Sequence, residues 1–184
     1  GPYAERAGYD YLIQGMGGLM SVTGEADDKP GGGPQRAGVA LADILSGMYA
    51  TVAILAALRH RDAGAGGQHI DIGMLDVQVA TLANQGMNYL TTGVAPRRMG
   101  TGHPNIAPYQ VFPAADGHFI LAVGNDAQYV RMCHAMQRPD LAEDPRFRTI
   151  GERVANRDAL IPALESITRT RSVAVSYAFD FILQ

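Results

Sequence analysis

The chain is poor in the residues that would point to several common functions. It holds one cysteine, Cys133, so no disulfide can form within it, and a reducing, cytoplasmic setting is expected. Cys133 itself reads as a packed helix residue and not as a nucleophile. Lys29 is the only lysine, and the arginines form no cluster or stripe. With a net charge of -3 as well, nucleic acid is not an expected partner. The 5 histidines lie far apart and none has a partner at ligand spacing, so no metal site is expected. The opening Gly1-Pro2-Tyr3-Ala4-Glu5-Arg6 lacks a basic start followed by an apolar stretch, so no targeting segment is read there. The apolar run from Ile44 to Leu58 is shorter than the ~18 residues of a spanning helix and is interrupted by Ser46, Gly47 and Thr51. It predicts a helix buried within protein, with no membrane span.

What is present suits a folded α/β protein. At 184 residues and 47% apolar content, the chain has the length and composition for a real core, in one domain or one plus part of a second. Tyr9 to Met20, with Gly15, Gly17 and Gly18, predicts a short helix lying close against a neighbour. A loop rich in Gly, Pro and Asp over Thr23 to Gly38 leads to a long apolar helix. Asp43 stands at its start and Arg59, His60 and Arg61 at its end, as the helix dipole favours. His69 to Leu75 alternates, predicting a strand with Ile70 and Ile72 on its buried face; Val77 to Leu90 predicts another helix, ending near Gly93. Helix, strand and helix in succession predict an α/β layer with a mainly parallel sheet.

Composition turns to Arg, Gly and Pro over residues 96–108, where a domain boundary is placed. Beyond it, Tyr109 to Phe112 and His118 to Val123 predict a hairpin around Ala115-Asp116-Gly117. A helix over Gln128 to Met136, polar turns over Pro139 to Thr149 and an amphipathic helix over Glu152 to Ile167 follow. The end, Val173 to Leu183, reads as a strand or a poorly covered helix. Among polar candidates, Asp43 reads either as a helix cap or as a functional carboxylate. Gly100-Thr101-Gly102-His103-Pro104-Asn105 reads either as a linker turn or as a loop offering backbone N–H groups to an anion. Asn125 or Asp126 is most simply an N-cap, and Tyr9 and Gln14 line either a core or a site.

An ordered set of short segments adds a resemblance. They are Gly8-Tyr9-Asp10, Gly18-Leu19-Met20-Ser21-Val22-Thr23-Gly24, Gly38-Val39-Ala40-Leu41-Ala42-Asp43, Ile54-Leu55-Ala56-Ala57-Leu58 and Gly67-Gln68-His69-Ile70-Asp71. His103-Pro104-Asn105-Ile106-Ala107-Pro108-Tyr109 and Ala115-Asp116-Gly117 continue it, ahead of Val123-Gly124-Asn125-Asp126. From Gly1 to about Arg171 the chain resembles the class III coenzyme A-transferase (CaiB/BaiF) family. The resemblance implies an acyl-CoA:carboxylate CoA-transferase working through an aspartyl-CoA thioester, with Asp43 as the nucleophile. Supporting or substrate-facing places carry over to Tyr9, Gly100, Gly102, His103, Asn105 and Asp126, although the loop here is sparser in glycine than the family's. A coenzyme A thioester enters as substrate and not as a permanently bound cofactor. The acceptor is a carboxylic acid, and the expected assembly is a homodimer of interlocked chains.

The implied architecture is a partial large domain, Rossmann-like and helix-rich, followed by a smaller α+β domain. Residues 1–95 would carry the nucleophile, 96–108 the linker and glycine loop, and 109–184 the small domain. Family members are longer, so the chain is expected to be an internal segment, whether a fragment, a truncated product or half of a split protein. Residues 172–184 leave the family pattern. The family also includes α-methylacyl-CoA racemases, which place a histidine where this chain has Tyr9 and a glutamate near Asp126. A phenol holds its proton at neutral pH and is a poor base, so Tyr9 favours the transferase. The remaining alternative is a catalytically silent truncated homologue.

Overall fold

Two adjacent glycines stop the first helix. In the computed structural model, which describes residues 2–175, α1 (Asp10–Met16) ends at Gly17, and Gly18 turns the chain at φ 84° into the single turn of α2 (Leu19–Val22). The one helix expected to run to Met20 is therefore two. Gly17 also permits the expected close approach: a Cβ there would lie 2.4 Å from Cγ of Gln78. The loop over 23–40 leads to α3 (Leu41–His60), which continues as a π-helical turn over Arg61–Ala65. Next come α4 (Met74–Ala80), carrying Gln78, and α5 (Asn84–Thr92), separated at Ala83, whose φ is 49°. Gly93, at φ 70°, closes α5 where the sequence predicts it.

The chain divides into two compact units, Gly1–Gly100 and Thr101–Gln184, a division inside the Arg/Gly/Pro-rich stretch. In the first unit α1 packs on α3 and α4. Its buried apolar side chains are few among the described residues, Ile13, Ala42 and Val77, and they share the interior with Asp10, Gln14 and Gln78.

The single helix expected over Val77 to Leu90 is likewise two, α4 and α5, and three further expectations for this unit need correction. His69 to Leu75 is not a strand: residues 66–73 carry no ladder and α4 starts at Met74. The alternation is still visible, with Ile70 and Ile72 half-buried and His69 and Asp71 exposed, but no neighbouring strand lies among the described residues to accept its hydrogen bonds. Nor is there a parallel sheet among the described residues; their sheet is one antiparallel pair in the second unit. Finally, α3 is not buried. Ile44, Met48, Val52 and Leu55 are 51%, 59%, 68% and 61% exposed, an apolar stripe at helical spacing with nothing of this unit upon it. With the π-turn, Leu41–Ala65 runs for 25 residues, and an 18-residue window within it has a mean hydropathy of 1.8, so by those measures it is long and apolar enough to cross a membrane.

The second unit has a core. Strands β1 (Tyr109–Pro113) and β2 (His118–Ala122) form the predicted hairpin, with Phe112 opposite Phe119 and both buried. Asn125 caps α6 (Asp126–Ala135), accepting from the Gln128 N–H at 2.9 Å. The expected polar turns hold α7 (Pro139–Glu143) and a 3₁₀ turn over Pro145–Phe147. The amphipathic helix is two, α8 (Ile150–Ala155) and α9 (Arg157–Thr168), and α8 starts earlier than expected because Thr149 and Glu152 form a capping box. Most of the predicted Val173 to Leu183 element lies outside the described residues.

Arg153 is wholly buried at the centre of this unit. It donates to the carbonyls of Ala107 (2.8 Å), Phe147 (2.9 Å) and Arg148 (3.2 Å), pairs with Asp126 at 2.8 Å and stacks 4.4 Å over Tyr129. Cys133 is buried beside it, and burial pushes its thiol up to about 11. Arg153→Ala strands buried carbonyls and is expected to cost about 3 kcal/mol or more in urea unfolding, against about 1 kcal/mol or less for the half-exposed Asp126→Asn. Native Cys133 is expected to resist alkylation at neutral pH and to react fully once urea unfolds the chain.

Candidate active site

The start of α3 is organised by a residue far away in sequence. Its N-cap position is Ala40, which offers no side-chain oxygen. The oxygen comes from the first turn of α1: Oδ1 of Asp10 accepts the N–H of Ala42 at 2.9 Å, the bond that a local capping side chain would make. The other oxygen, Oδ2, accepts from Nε2 of Gln14 at 2.9 Å, one helical turn along α1. Gln14 grips the entering loop, donating to the Val39 carbonyl at 3.2 Å and accepting the Ala37 N–H at 2.9 Å. Gln14 is fully buried and Asp10 is 9% exposed, so these bonds are shielded from water.

Asp43 is therefore not the cap. It stands in the first turn of α3, exposed, and among the described residues neither its carboxylate nor its N–H has a hydrogen-bond partner. The preceding N–H groups are occupied, that of Leu41 by the Val39 carbonyl and that of Ala42 by Asp10. A carboxylate and a free N–H thus sit together at the positive end of a 20-residue helix. Tyr9, next to Asp10, is extended and 69% exposed, and with Tyr11, Leu12, Gly15 and Met16 lines an apolar depression of about 750 Å³. The Asp10–Ala42 bond brings Tyr9 and Asp43 to the same end of the α1–α3 pair.

Gly100 also belongs to the first unit. Its φ is 59°, its N–H donates to the Gly24 carbonyl at 2.9 Å, and a Cβ there would come 2.8 Å from the Glu25 carboxylate, so glycine is favoured and a larger residue would have to displace the Glu25 side chain. Arg98 fastens the same stretch, donating to the Met20 and Ser21 carbonyls and pairing with Asp27.

The other candidates lie in the second unit. Gly102 is half-buried and Asn105 exposed. The N–H of His103 donates to the Tyr109 carbonyl at 2.9 Å, and its Nδ1 lies 3.1 Å from the Asn105 N–H as an acceptor. Arg157 holds this loop through the carbonyls of His103 and Pro104. Asp126 is engaged by Arg153, which gives it a structural task in its own unit. The residue that the candidate list omits is Asp10. The signal was an Asp-x-x-x-Gln pair on one face of a short apolar helix, a pattern that the sequence does not distinguish from two side chains facing water.

The described residues thus form a helix-rich fold with one antiparallel hairpin, in which a long apolar helix presents an exposed carboxylate at its start. The model of CoA-transferase family III matches residues 1–178, and the chain belongs to that family. The succinate–glutarate CoA-transferase of Agrobacterium fabrum is 55% identical over 157 residues, 85% of this chain and 38% of that protein. The succinyl-CoA:glutarate CoA-transferase of Mus musculus is 39% identical over 166 residues, covering 90% of this chain and 37% of that one. Among solved structures, a CaiB/BaiF family protein from Brucella suis superposes with a TM-score of 0.77 at 49% identity, over 99% of this chain and 47% of its own. The chain thus spans less than half the length of each.

Because Asp10 and not Asp43 closes the helix start, the two substitutions should separate in urea unfolding. Asp10→Ala leaves the Ala42 N–H and the Gln14 amide unsatisfied and is expected to cost about 2 kcal/mol. Asp43→Ala is expected to change stability by less than about 1 kcal/mol. Equal losses would contradict the capping geometry.

Proposed function

We propose that this chain carries the nucleophile of an acyl-CoA:carboxylate CoA-transferase, with small dicarboxylic acids as the acid class. The observation that carries the proposal is the exposed Asp43 beside a free N–H at the start of α3, with the capping task taken by Asp10. The relatives named for succinate and glutarate support the substrate class.

The chemistry needs one carboxylate and no net proton movement. An Asp43 oxygen attacks the thioester carbonyl, the C–S bond breaks, and a mixed anhydride and the CoA thiolate result. The thiolate attacks the Asp43 carbonyl, releasing the donor acid and leaving an aspartyl-CoA thioester. The acceptor carboxylate attacks that thioester and again displaces the thiolate. The thiolate then attacks the acceptor's acyl carbonyl, giving the new acyl-CoA and restoring Asp43. Each attack builds negative charge on a carbonyl oxygen, which the N–H of Asp43 and the positive end of α3 are placed to stabilise. Tyr9 supplies a hydroxyl that donates without ionising. Coenzyme A comes and goes as substrate, with no resident cofactor needed for these steps.

The same reading includes a homodimer in a cytoplasmic setting. The apolar stripe of α3 supports a protein partner, since a surface of that kind is costly to leave in water. Light scattering on the chain should return an oligomer, and a monodisperse monomer at high concentration would count against it.

Asp43→Ala in the complete gene product is expected to abolish CoA transfer, and hydroxylamine should trap Asp43 of the wild type only after acyl-CoA is added. Incubation with a 2-methylacyl-CoA in deuterated water should give no catalytic exchange at the α-carbon. Rapid deuterium uptake would instead favour the racemase-like alternative, and absence of CoA binding in calorimetry would favour a silent homologue.

A further inference from the structure

Asp43 is useful as a nucleophile only if its turn is held still, and the structure shows what holds it. Proceeding along the bonds, the Ala37 N–H donates to Gln14, Gln14 donates to the Val39 carbonyl and to Asp10, and Asp10 accepts the Ala42 N–H. The chain of bonds therefore grips the backbone at three points, all within six residues before Asp43. We infer that Asp10 and Gln14 form a buried positioning pair that sets the geometry of the Asp43 carboxylate. The inference rests on the proposed role of Asp43.

The pair has a fixed polarity. Gln14 cannot turn its amide over, because its NH₂ would then face the Ala37 N–H and its carbonyl oxygen would face the Val39 carbonyl and the Asp10 carboxylate. Asp10 must accept with both oxygens. Asparagine, of equal size, would set an NH₂ against either the Ala42 N–H or the Gln14 NH₂, a donor against a donor. Alanine tests the cap as a whole; asparagine tests the polarity at constant shape. Neither side chain touches the reacting atoms in this account, so both are positioning residues. Their loss should appear in the chemical step more than in substrate binding.

The test compares Asp10→Asn, Gln14→Met and Asp43→Ala in the complete gene product, with succinyl-CoA and glutarate as the probe substrates. Melting curves and amide exchange at Ala42 are read alongside the kinetics. Both positioning variants are expected to lower kcat by about 10- to 100-fold, with each KM within about threefold of wild type and faster exchange at Ala42. A variant with faster exchange at Ala42 but kcat within about twofold of wild type would overturn the inference. So would a loss of activity that tracks the fraction unfolded. If Asp10→Asn does not fold, Gln14→Met decides, and if neither folds the pair serves stability alone and the inference fails. Asp43→Ala keeps the two readings apart. Full activity in that variant removes the nucleophile and the inference with it, whereas an inactive Asp43→Ala beside a fully active Asp10→Asn removes the positioning pair only.

Discussion

One hydrogen bond, from the Ala42 N–H to the Asp10 carboxylate, governs the candidate site. Helix α3 has no capping side chain of its own, and a helix end with unsatisfied N–H groups frays. Asp10 supplies the missing oxygen across 32 residues of sequence and ties α1 to α3 in doing so. The consequence is chemical as well as structural. An acid at the start of a helix ordinarily folds back to cap it, and here the cap is already filled, so Asp43 is left exposed with its own N–H free. In the proposed function, this division of labour between two aspartates is what frees the carboxylate at the helix start for chemistry.

The first unit is otherwise incomplete as a physical object. Among the described residues few of its apolar side chains are buried, α3 presents an apolar stripe, and residues 66–73 alternate like a strand with no partner strand. All three features ask for more protein, and the chain spans 38% and 37% of the two curated relatives described above. The second unit is different in kind. It is closed around aromatic and aliphatic side chains from the hairpin, α6, α7, the 3₁₀ turn and α9, with Arg153 of α8 satisfying carbonyls that would otherwise be buried and unpaired.

What the sequence revealed follows the range of each signal. Local chemistry was legible: Asp116-Gly117 marked the hairpin, the Asn125-Asp126 pair the cap of α6, which Asn125 fills, Gly93 the end of α5 and Asp43 the start of α3. Signals that depend on a distant partner were not. The alternation at Ile70 and Ile72 promised a strand, but a strand exists only with a neighbour. The apolar content of α3 promised burial, but burial needs something to pack on it. Ala83 breaks a helix in a backbone conformation that nothing in its neighbours announces. The spacing of Asp10 and Gln14 was visible, but the capping role of Asp10 was not, because its partner there, a backbone N–H of another helix, has no signature in the sequence.

The most direct measurement follows oxygen atoms. If Asp43 is acylated and regenerated as described, each turnover hands one of its carboxylate oxygens to the released acid and takes one from the acceptor. With acceptor acid labelled by heavy oxygen, mass spectrometry of the peptide bearing Asp43 should find the isotope in that carboxylate after turnover, and only when acyl-CoA is present. Transfer of coenzyme A with no heavy oxygen at Asp43 would contradict the account.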